Sequence, residues 1–367
     1  MSLSVGIVGL PNVGKSTLFN ALLKKQLAYA ANFPFATIEP NIGVVPVPDD
    51  RLEKLAHVIK ENHKMSELPP LVPATVEFLD IAGLIAGAHK GEGLGNKFLA
   101  HIREVDAICH VVRVFKNENI IKEGSVDPVS DFETIKTELA MADLTTLEKQ
   151  KDPKLNSTKE EKTRWNVVVK FKEAINASID LNTLVLTEEE QKQANQLSLL
   201  STKPILVVLN VDDTELKNAS EIEKEFSQKL NVSVDQVIAV CAKVEEELAS
   251  FTELDAVEYL SDLGVEKSGL ERIIKKAFHT LGLITFLTAG EKEIRAWTIP
   301  LDTLAKHAAG VIHTDFEKKF IKADVVKFED FIEFKGWKGA REKGKVGSEG
   351  KEYVVKDGDV IEFKIGA

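Results

Sequence analysis

Apolar residues follow two rhythms along this chain. Leu3 to Val8, Thr75 to Leu79, Ile205 to Leu209 and Val237 to Val240 form short, largely apolar runs, too short for buried helices, and they read as strands. From Asp131 to about Leu200 the period becomes helical: Phe132, Ile135, Leu139 and Ala142 share one face, and Val168, Phe171, Ile175 and Ile179 share another. Charged residues fill the remaining positions, as in an antiparallel helical hairpin with a solvated outer face. A plain helical subdomain without a partner fits that pattern equally well. Near the end the period is two, with Ile361, Phe363 and Ile365 opposite Glu362 and Lys364, and Asp357-Gly358 marks a hairpin turn before them. Strands followed by helical stretches predict an α/β fold.

The chain has 367 residues, enough for two or three domains of about 100–200 residues each. Two cysteines, Cys109 and Cys241, both in apolar surroundings, exclude a disulfide framework and read as buried thiols in a reducing compartment. No signal peptide is read before the first strand and no apolar run nears the ~18 residues of a membrane span, so a soluble, cytoplasmic protein is expected. The net charge of −11 argues against binding nucleic acid by bulk charge; neither a membrane nor sequence-specific DNA is expected as a partner. The acidic excess lies upstream of the last quarter of the chain, which supports a separate C-terminal module.

After the first strand comes Gly9-Leu10-Pro11-Asn12-Val13-Gly14-Lys15-Ser16-Thr17, matching G-x-x-x-x-G-K-[ST]. The glycines let the backbone close around a phosphate, with N–H groups and a helix N-terminus facing the anion. Lys15 then reaches the β- and γ-phosphates and Ser16 ligates Mg²⁺, while Asn12, Val13, Gly14 and Thr17 complete the phosphate contacts. A chance glycine-rich turn would match the bare pattern; the strand before it and the helix-forming stretch Thr17 to Lys25 after it argue for the phosphate site.

A second strand, Thr75 to Asp80, ends in Asp80-Ile81-Ala82-Gly83, a D-x-x-G element. Asp80 is placed to hold Mg²⁺ through water and the Gly83 N–H to sense the γ-phosphate. Between the two motifs, the proline-bounded loop Asn32 to Asn41 offers Thr37 as a switch-type second Mg²⁺ ligand. Lys15, Thr37 and Gly83 form the expected catalytic set, and Ser16, Thr37 and Asp80 the metal set. Base recognition is expected from Asn210-Val211-Asp212-Asp213 at one strand end and from Cys241-Ala242-Lys243 at the next, where a backbone N–H and a lysine stem pack on a purine.

This order of motifs resembles the translation-factor-class GTPase fold. More narrowly, Asn32 to Asn41, Asp80-Ile81-Ala82-Gly83-Leu84, Gly91 to Asn96, Ala296 to Pro300, Gly310 to Lys318 and Asp357 to Val360 resemble the YchF/Obg-like ATPase family, nearly end to end. The resemblance implies a P-loop domain in two parts, 1–128 and 201–280, a coiled-coil-like helical insertion at 129–200, and a β-grasp-like TGS domain at 281–367. It also implies a slow Mg²⁺-dependent ATPase associating with the ribosome (large subunit or 70S) or RNA through the TGS domain and the insertion. Lys335 to Lys345 is basic and glycine-rich around Trp337, suited to phosphate contact and base stacking, and suited as well to a solvated loop with a partly buried tryptophan.

Leu84 stands where many GTPases carry a glutamine that orients water, so slow turnover is expected. The family histidine proposed to help hydrolysis has no counterpart, Lys122 standing in its place, and His89, His101 and His110 read as structural or surface residues. Asn12, as in potassium-activated relatives, is a candidate for holding K⁺. Base choice stays open: Val211 replaces the lysine of the guanine motif and favours ATP, whereas Asp213 replaces the family glutamate and is what guanine-specific enzymes use. Three classes of function follow: an NTPase switch, a ribosome- or RNA-binding regulator in which hydrolysis is incidental, and a small-molecule kinase, disfavoured because no acceptor pocket or lid motif is read.

Overall fold

The computed structural model describes residues 4–32, 41–81, 94–115, 127–154 and 156–366. The chain divides into two compact units, one of Leu3–Gly43 and Glu77–Ile273, the other of Val44–Val76 and Ile274–Ala367. Residues 44–76, assigned on sequence to the first part of the P-loop domain, thus group with the C-terminal unit. Motif order could not reveal this, because 44–76 carry no motif and their partners lie more than 200 residues on.

The first unit is built on β1 (Ser4–Val8), α1 (Lys15–Asn32), the start of β2 (Ile42–Pro46), most of β4 (Thr75–Asp80), α3 (Leu94–Glu104) and β5 (Ala107–Arg113). Beyond these lie α4 (Pro128–Glu148), α5 (Lys159–Asn176), α6 (Glu188–Gln196), β6 (Ile205–Asn210), α7 (Ala219–Lys229), β7 (Val237–Val240), α8 (Ala242–Leu248), α9 (Glu253–Asp262) and α10 (Gly269–Thr280), whose last turns enter the second unit. The sheet order is β2-β4-β1-β5-β6-β7, and β1 pairs in parallel with β4 and β5, β5 with β6, and β6 with β7. Strands β5 and β7 are buried throughout, so neither alternates apolar with exposed polar positions; β7 is wholly apolar, while β5 buries His110 and Arg113 as well. One core cluster packs Val8, Ile102, Ile108, Ile135 and Leu139; another packs Val112, Phe132, Leu209, Phe226 and Ala239.

The helical stretch begins as part of that core. Phe132, Ile135, Leu139 and Ala142 of α4 are buried, as their spacing predicts. Further on, Leu147 joins Val167, Val168, Phe171 and Leu197 in a separate cluster. Ile179 departs from its expected place: α5 stops at Asn176, and Ile179 lies in the turn beyond, about half exposed at 49%. Three N-caps punctuate these helices. Asp127 accepts from the N–H groups of Val129 and Ser130, and Thr158 with Glu161 and Thr187 with Glu190 form capping boxes. Asp143, buried in α4, ties the return segment down by accepting from Leu200 N (2.8 Å), Ser201 N (2.8 Å) and Ser201 Oγ (2.6 Å).

The second unit contains α2 (Arg51–His63), β3 (Leu71–Val72), β8 (Leu283–Ala289), β9 (Ile294–Pro300), α11 (Ala305–Ile312) and α12 (Thr314–Lys318). It is completed by β10 (Phe320–Lys327), α13 (Phe328–Glu333), α14 (Trp337–Glu342), β11 (Gly347–Glu349) and β12 (Asp359–Ile365). Its sheet order is β11-β10-β12-β8-β9-β3: β8 and β9 form an antiparallel hairpin, β12 runs parallel to β8 and antiparallel to β10, and Ala305 and Ala308 of α11 pack on the sheet core. This is the β-grasp-like arrangement expected of the C-terminal module, widened by β3, which pairs in parallel with β9.

Arg51 at the start of α2 fastens that helix, donating to Asp49, to Asp357 Oδ2 (2.8 Å) and to Thr285 Oγ1 (2.8 Å). Asp357-Gly358 is a turn, but β12 does not pair with β11 before it, so it closes no hairpin. Asp357 Oδ1 instead accepts from Thr285 N at 2.9 Å, tying the turn to β8. The segment 335–345 is not a plain loop: Gly336, at φ 93°, starts the one-and-a-half turns of α14, and Trp337 packs edge-on against Phe331.

Candidate nucleotide site

In doubly wound sheets, ligands gather at the C-terminal ends of the strands, where the chain order reverses. Here β1 lies between β4 and β5, and the loop leaving β1 runs through Gly9–Gly14 into α1. Two glycines are dictated by close approach. A Cβ on Gly9 (φ 157°) would lie 2.5 Å from the Val111 carbonyl oxygen, and one on Gly14 (φ 100°) would lie 2.2 Å from Asn210 Nδ2. Asn12 also has positive φ, at 62°, which asparagine tolerates. The helix engages at once, Leu18 N donating to Gly14 O at 3.0 Å.

Lys15 is buried, and its Nζ donates to Leu10 O at 2.7 Å, within its own loop. Asp80 ends β4 opposite Ile7 of β1. Burial lowers the Lys15 pKa against the pull of the Asp80 charge, and burial raises that of Asp80 against the pull of Lys15. Each charge is thus partly compensated by the other in a low-dielectric setting, where an added polyanion and its counter-cation interact strongly. Ser16 is exposed in the first turn of α1. A hydroxyl and a carboxylate at these two positions are hard oxygen donors, the chemistry Mg²⁺ takes together with phosphate oxygens. No group of three metal-binding His, Cys, Asp or Glu side chains occurs among the described residues.

Asn210, at the end of β6 and 5% exposed, joins the two halves of the site. Its Nδ2 donates to Val13 O at 2.9 Å, and its Oδ1 accepts from Ala242 N at 3.0 Å. The phosphate loop and the Cys241–Lys243 segment are therefore held by one side chain with both ends of its amide in use. Around it opens a cavity of about 530 Å³, lined by Asn12, Gly14, Thr17, Phe115, Asn210, Val211, Asp213, Cys241, Ala242 and Lys243 among others. That volume suits a small ligand. Cys241 is buried, and burial raises its thiol pKa, so it lines the cavity as a neutral group.

Phe115 was missed on sequence. It sits just beyond β5, a central strand, which is where such a residue is to be sought. Arg113 was missed too: 1% exposed at the end of β5, it carries its guanidinium 4.4 Å from the Phe115 ring centroid. Thr37, Gly83, Leu84, His89 and Lys122 lie outside the described residues. His101 is exposed on α3, whereas His110 is buried in β5 and stacks on Phe132 at 5.2 Å between centroids.

A strand–glycine loop–helix turn, an acid at the neighbouring strand end and two base-loop segments meeting at one cavity define a P-loop nucleotide-binding protein of the GTPase type. Residues 4–142 match a family model described as a 50S ribosome-binding GTPase, and residues 283–366 match the YchF GTPase C-terminal model, described as a protein of unknown function. The chain belongs to the YchF family. It is 48% identical to the ribosome-binding ATPase YchF of Bacillus subtilis, with 99% of both chains covered, and 43% identical to that of Mycoplasma genitalium at the same coverage. The solved structure of the Schizosaccharomyces pombe YchF GTPase superposes with a TM-score of 0.85 at 36% identity, covering 99% of this chain and 98% of that one.

Proposed function

We propose that this protein is a nucleotide-dependent switch that binds ATP, with GTP as a second substrate, hydrolyses it slowly with Mg²⁺, and works at the ribosome in the cytoplasm. The observation that carries the reading is the Asn210 bridge, which commits the phosphate loop and the base loops to one cavity. The names of the relatives, ribosome-binding ATPases, support the ribosome and the reaction class.

In this reading Lys15 leaves Leu10 O for the β- and γ-phosphates, and the loop N–H groups of Val13 and Gly14 follow their charge. Ser16 and Thr37, with Asp80 through water, would hold Mg²⁺, which supplies charge neutralisation on the phosphate oxygens. Gly83 N–H reports the γ-phosphate. The base lies between Phe115 and the Lys243 stem, with Ala242 and Val211 beside it. Leu84 offers no hydrogen bond to an attacking water, so turnover of the isolated protein stays below ~1 s⁻¹. Asn12 is a candidate for holding K⁺ beside the phosphates, tested by comparing rates in K⁺ and Na⁺. The C-terminal unit and the helices at 128–196 are the surfaces offered to the ribosome, with the basic segment around Trp337 as an RNA contact.

A second reading, preference for GTP, has its own observation: Asp213 lines the cavity, where its carboxylate is able to accept two guanine N–H groups. Competition between unlabelled ATP and GTP for a fluorescent nucleotide, with Mg²⁺, separates the two. Tighter ATP supports the proposal; GTP tighter by tenfold, about 1.4 kcal/mol, replaces it with the second reading. Lys15→Ala in ribosome co-sedimentation then tests the switch: association that ignores both nucleotide and the substitution would leave a ribosome binder in which hydrolysis is incidental.

A further inference from the structure

We propose that Arg113 is a positioning residue for base recognition: from inside the core it fixes Phe115 as one wall of the nucleotide cavity, and it acts on the base only through that ring. The inference rests on the nucleotide reading above and adds a residue that no motif of the site contains.

Arg113 ends β5, paired in register with Asn210 of β6. At 1% exposure it does not reach solvent, so no ligand phosphate is contacted by its guanidinium. That group has turned instead onto its own chain two residues on. The guanidinium carbon lies 4.4 Å from the Phe115 ring centroid, and Nε donates to the Phe115 carbonyl at 3.2 Å. The N–H groups of Val114 and Phe115 both donate to Asn210 O, at 2.9 and 3.1 Å. Phe115 is therefore held at three points, by its N–H, its carbonyl and its ring, and two of the three come from Arg113.

Phe115, so held, lines the cavity together with Asn210, Cys241 and Lys243, while Arg113 is buried with its guanidinium over the ring. Asn210 is the common reference, because its carbonyl anchors Phe115 while its amide anchors Val13 and Ala242. The wall that meets a base and the loop that meets phosphates are thus registered to one residue. A planar guanidinium both stacks on the ring and donates along its plane; a lysine ammonium supplies charge without that shape. The ring's place is set before any ligand arrives, which lowers the ordering cost of binding a flat base.

The test uses the full chain, with ATP, the fluorescent purine 2-aminopurine riboside triphosphate, and inorganic tripolyphosphate, which carries the phosphates without a base. Arg113→Lys is expected to weaken ATP about tenfold and Arg113→Met further, with tripolyphosphate affinity unchanged within twofold in both and with reduced quenching of bound 2-aminopurine. Phe115→Leu leaves the arginine in the core and is expected to give the same base-selective loss; adding Arg113→Lys to it then costs no more than a further twofold. Equal losses for ATP and tripolyphosphate in the Arg113 variants, or additive losses in the double variant, would overturn the inference by making Arg113 a general structural residue. Unaltered ATP binding and quenching in Phe115→Leu would overturn it as well. Failure of the unsubstituted protein to bind any of the three probes would instead remove the nucleotide reading, and this inference with it.

Discussion

Replacing Asn210 by alanine removes both ends of the bridge at once, and the structure sets the size of the effect. Ala242 N–H and Val13 C=O each lose a partner at a site where the asparagine itself is only 5% exposed. A buried polar group left unpaired costs about 1–3 kcal/mol, so the pair sums to roughly 2–6 kcal/mol. The adjoining cavity of about 530 Å³ admits water to part of this deficit, which places the expected loss at about 2–3 kcal/mol. At about 2–4 °C per kcal/mol, the first unit should melt roughly 4–12 °C lower.

Urea unfolding followed by probes in the first unit measures this directly. The Gly14→Ala chain makes the test sharper. Its added Cβ would stand 2.2 Å from Asn210 Nδ2, so truncating Asn210 relieves that clash and leaves only the cost of alanine at φ 100°. The double variant should therefore be more stable than the sum of the two single losses predicts, a coupling of at least 1 kcal/mol on the scale expected for touching residues. An Asn210→Ala loss under about 0.5 kcal/mol, or strict additivity with Gly14→Ala, would refute the bridge as the element joining the two loops.

Two further expectations concern buried ionisable groups. Burial, with a smaller contribution from the Lys15 charge, lowers the His110 pKa to about 3, so the folded protein keeps it neutral where an unfolded chain with a pKa near 6.5 takes up a proton. Stability is therefore held above pH 6.5 and lost as the pH falls. Between pH 6.5 and 5 this histidine alone should cost about 1.5–2 kcal/mol, and His110→Leu should flatten the unfolding free energy over that interval by the same amount; an unchanged slope would contradict it. Asp143→Ala strips three hydrogen bonds and leaves the Leu200 and Ser201 N–H groups unpaired, for an expected loss of about 2–5 kcal/mol in urea unfolding, with Asp143→Asn milder because one acceptor remains.

The parts of this molecule legible in the sequence are those whose physics is local. Gly9, Gly14, Lys15 and Ser16 declare a phosphate loop because the turn needs those residues within a few positions of one another. The strands at Ser4–Val8, Thr75–Asp80, Ile205–Asn210 and Val237–Val240 are where the apolar runs predict them. What escaped was settled by contacts at a distance. That both ends of the Asn210 amide are used depends on Val13 and Ala242, which are remote in sequence. Phe115 and Arg113 belong to no motif, and their place is set by the end of the neighbouring strand β6. Ile179 continued a helical period past the point where the chain turns. Asp357-Gly358 reads as a hairpin because its composition is that of one, yet its partner is Thr285 of β8 rather than an adjacent strand.

The divided second unit has a consequence for how the protein is made. Residues 44–76 emerge from a ribosome early, but the strands they complete begin at Leu283, about 200 residues later. At a synthesis rate of about 5–20 residues per second, that is roughly 10–40 s in which Leu55, Ala56 and Ile59 of α2 have no core to enter. Arg51 likewise waits for Asp357, 306 residues further along the chain. The first unit's P-loop strand and helix are synthesised before this interval opens, whereas the second unit closes only once β12 has been made. A fragment cut at residue 281 would thus be a sheet missing its edge strand and one of its helices, and separate expression of the C-terminal part needs 44–76 supplied in trans or fused to it.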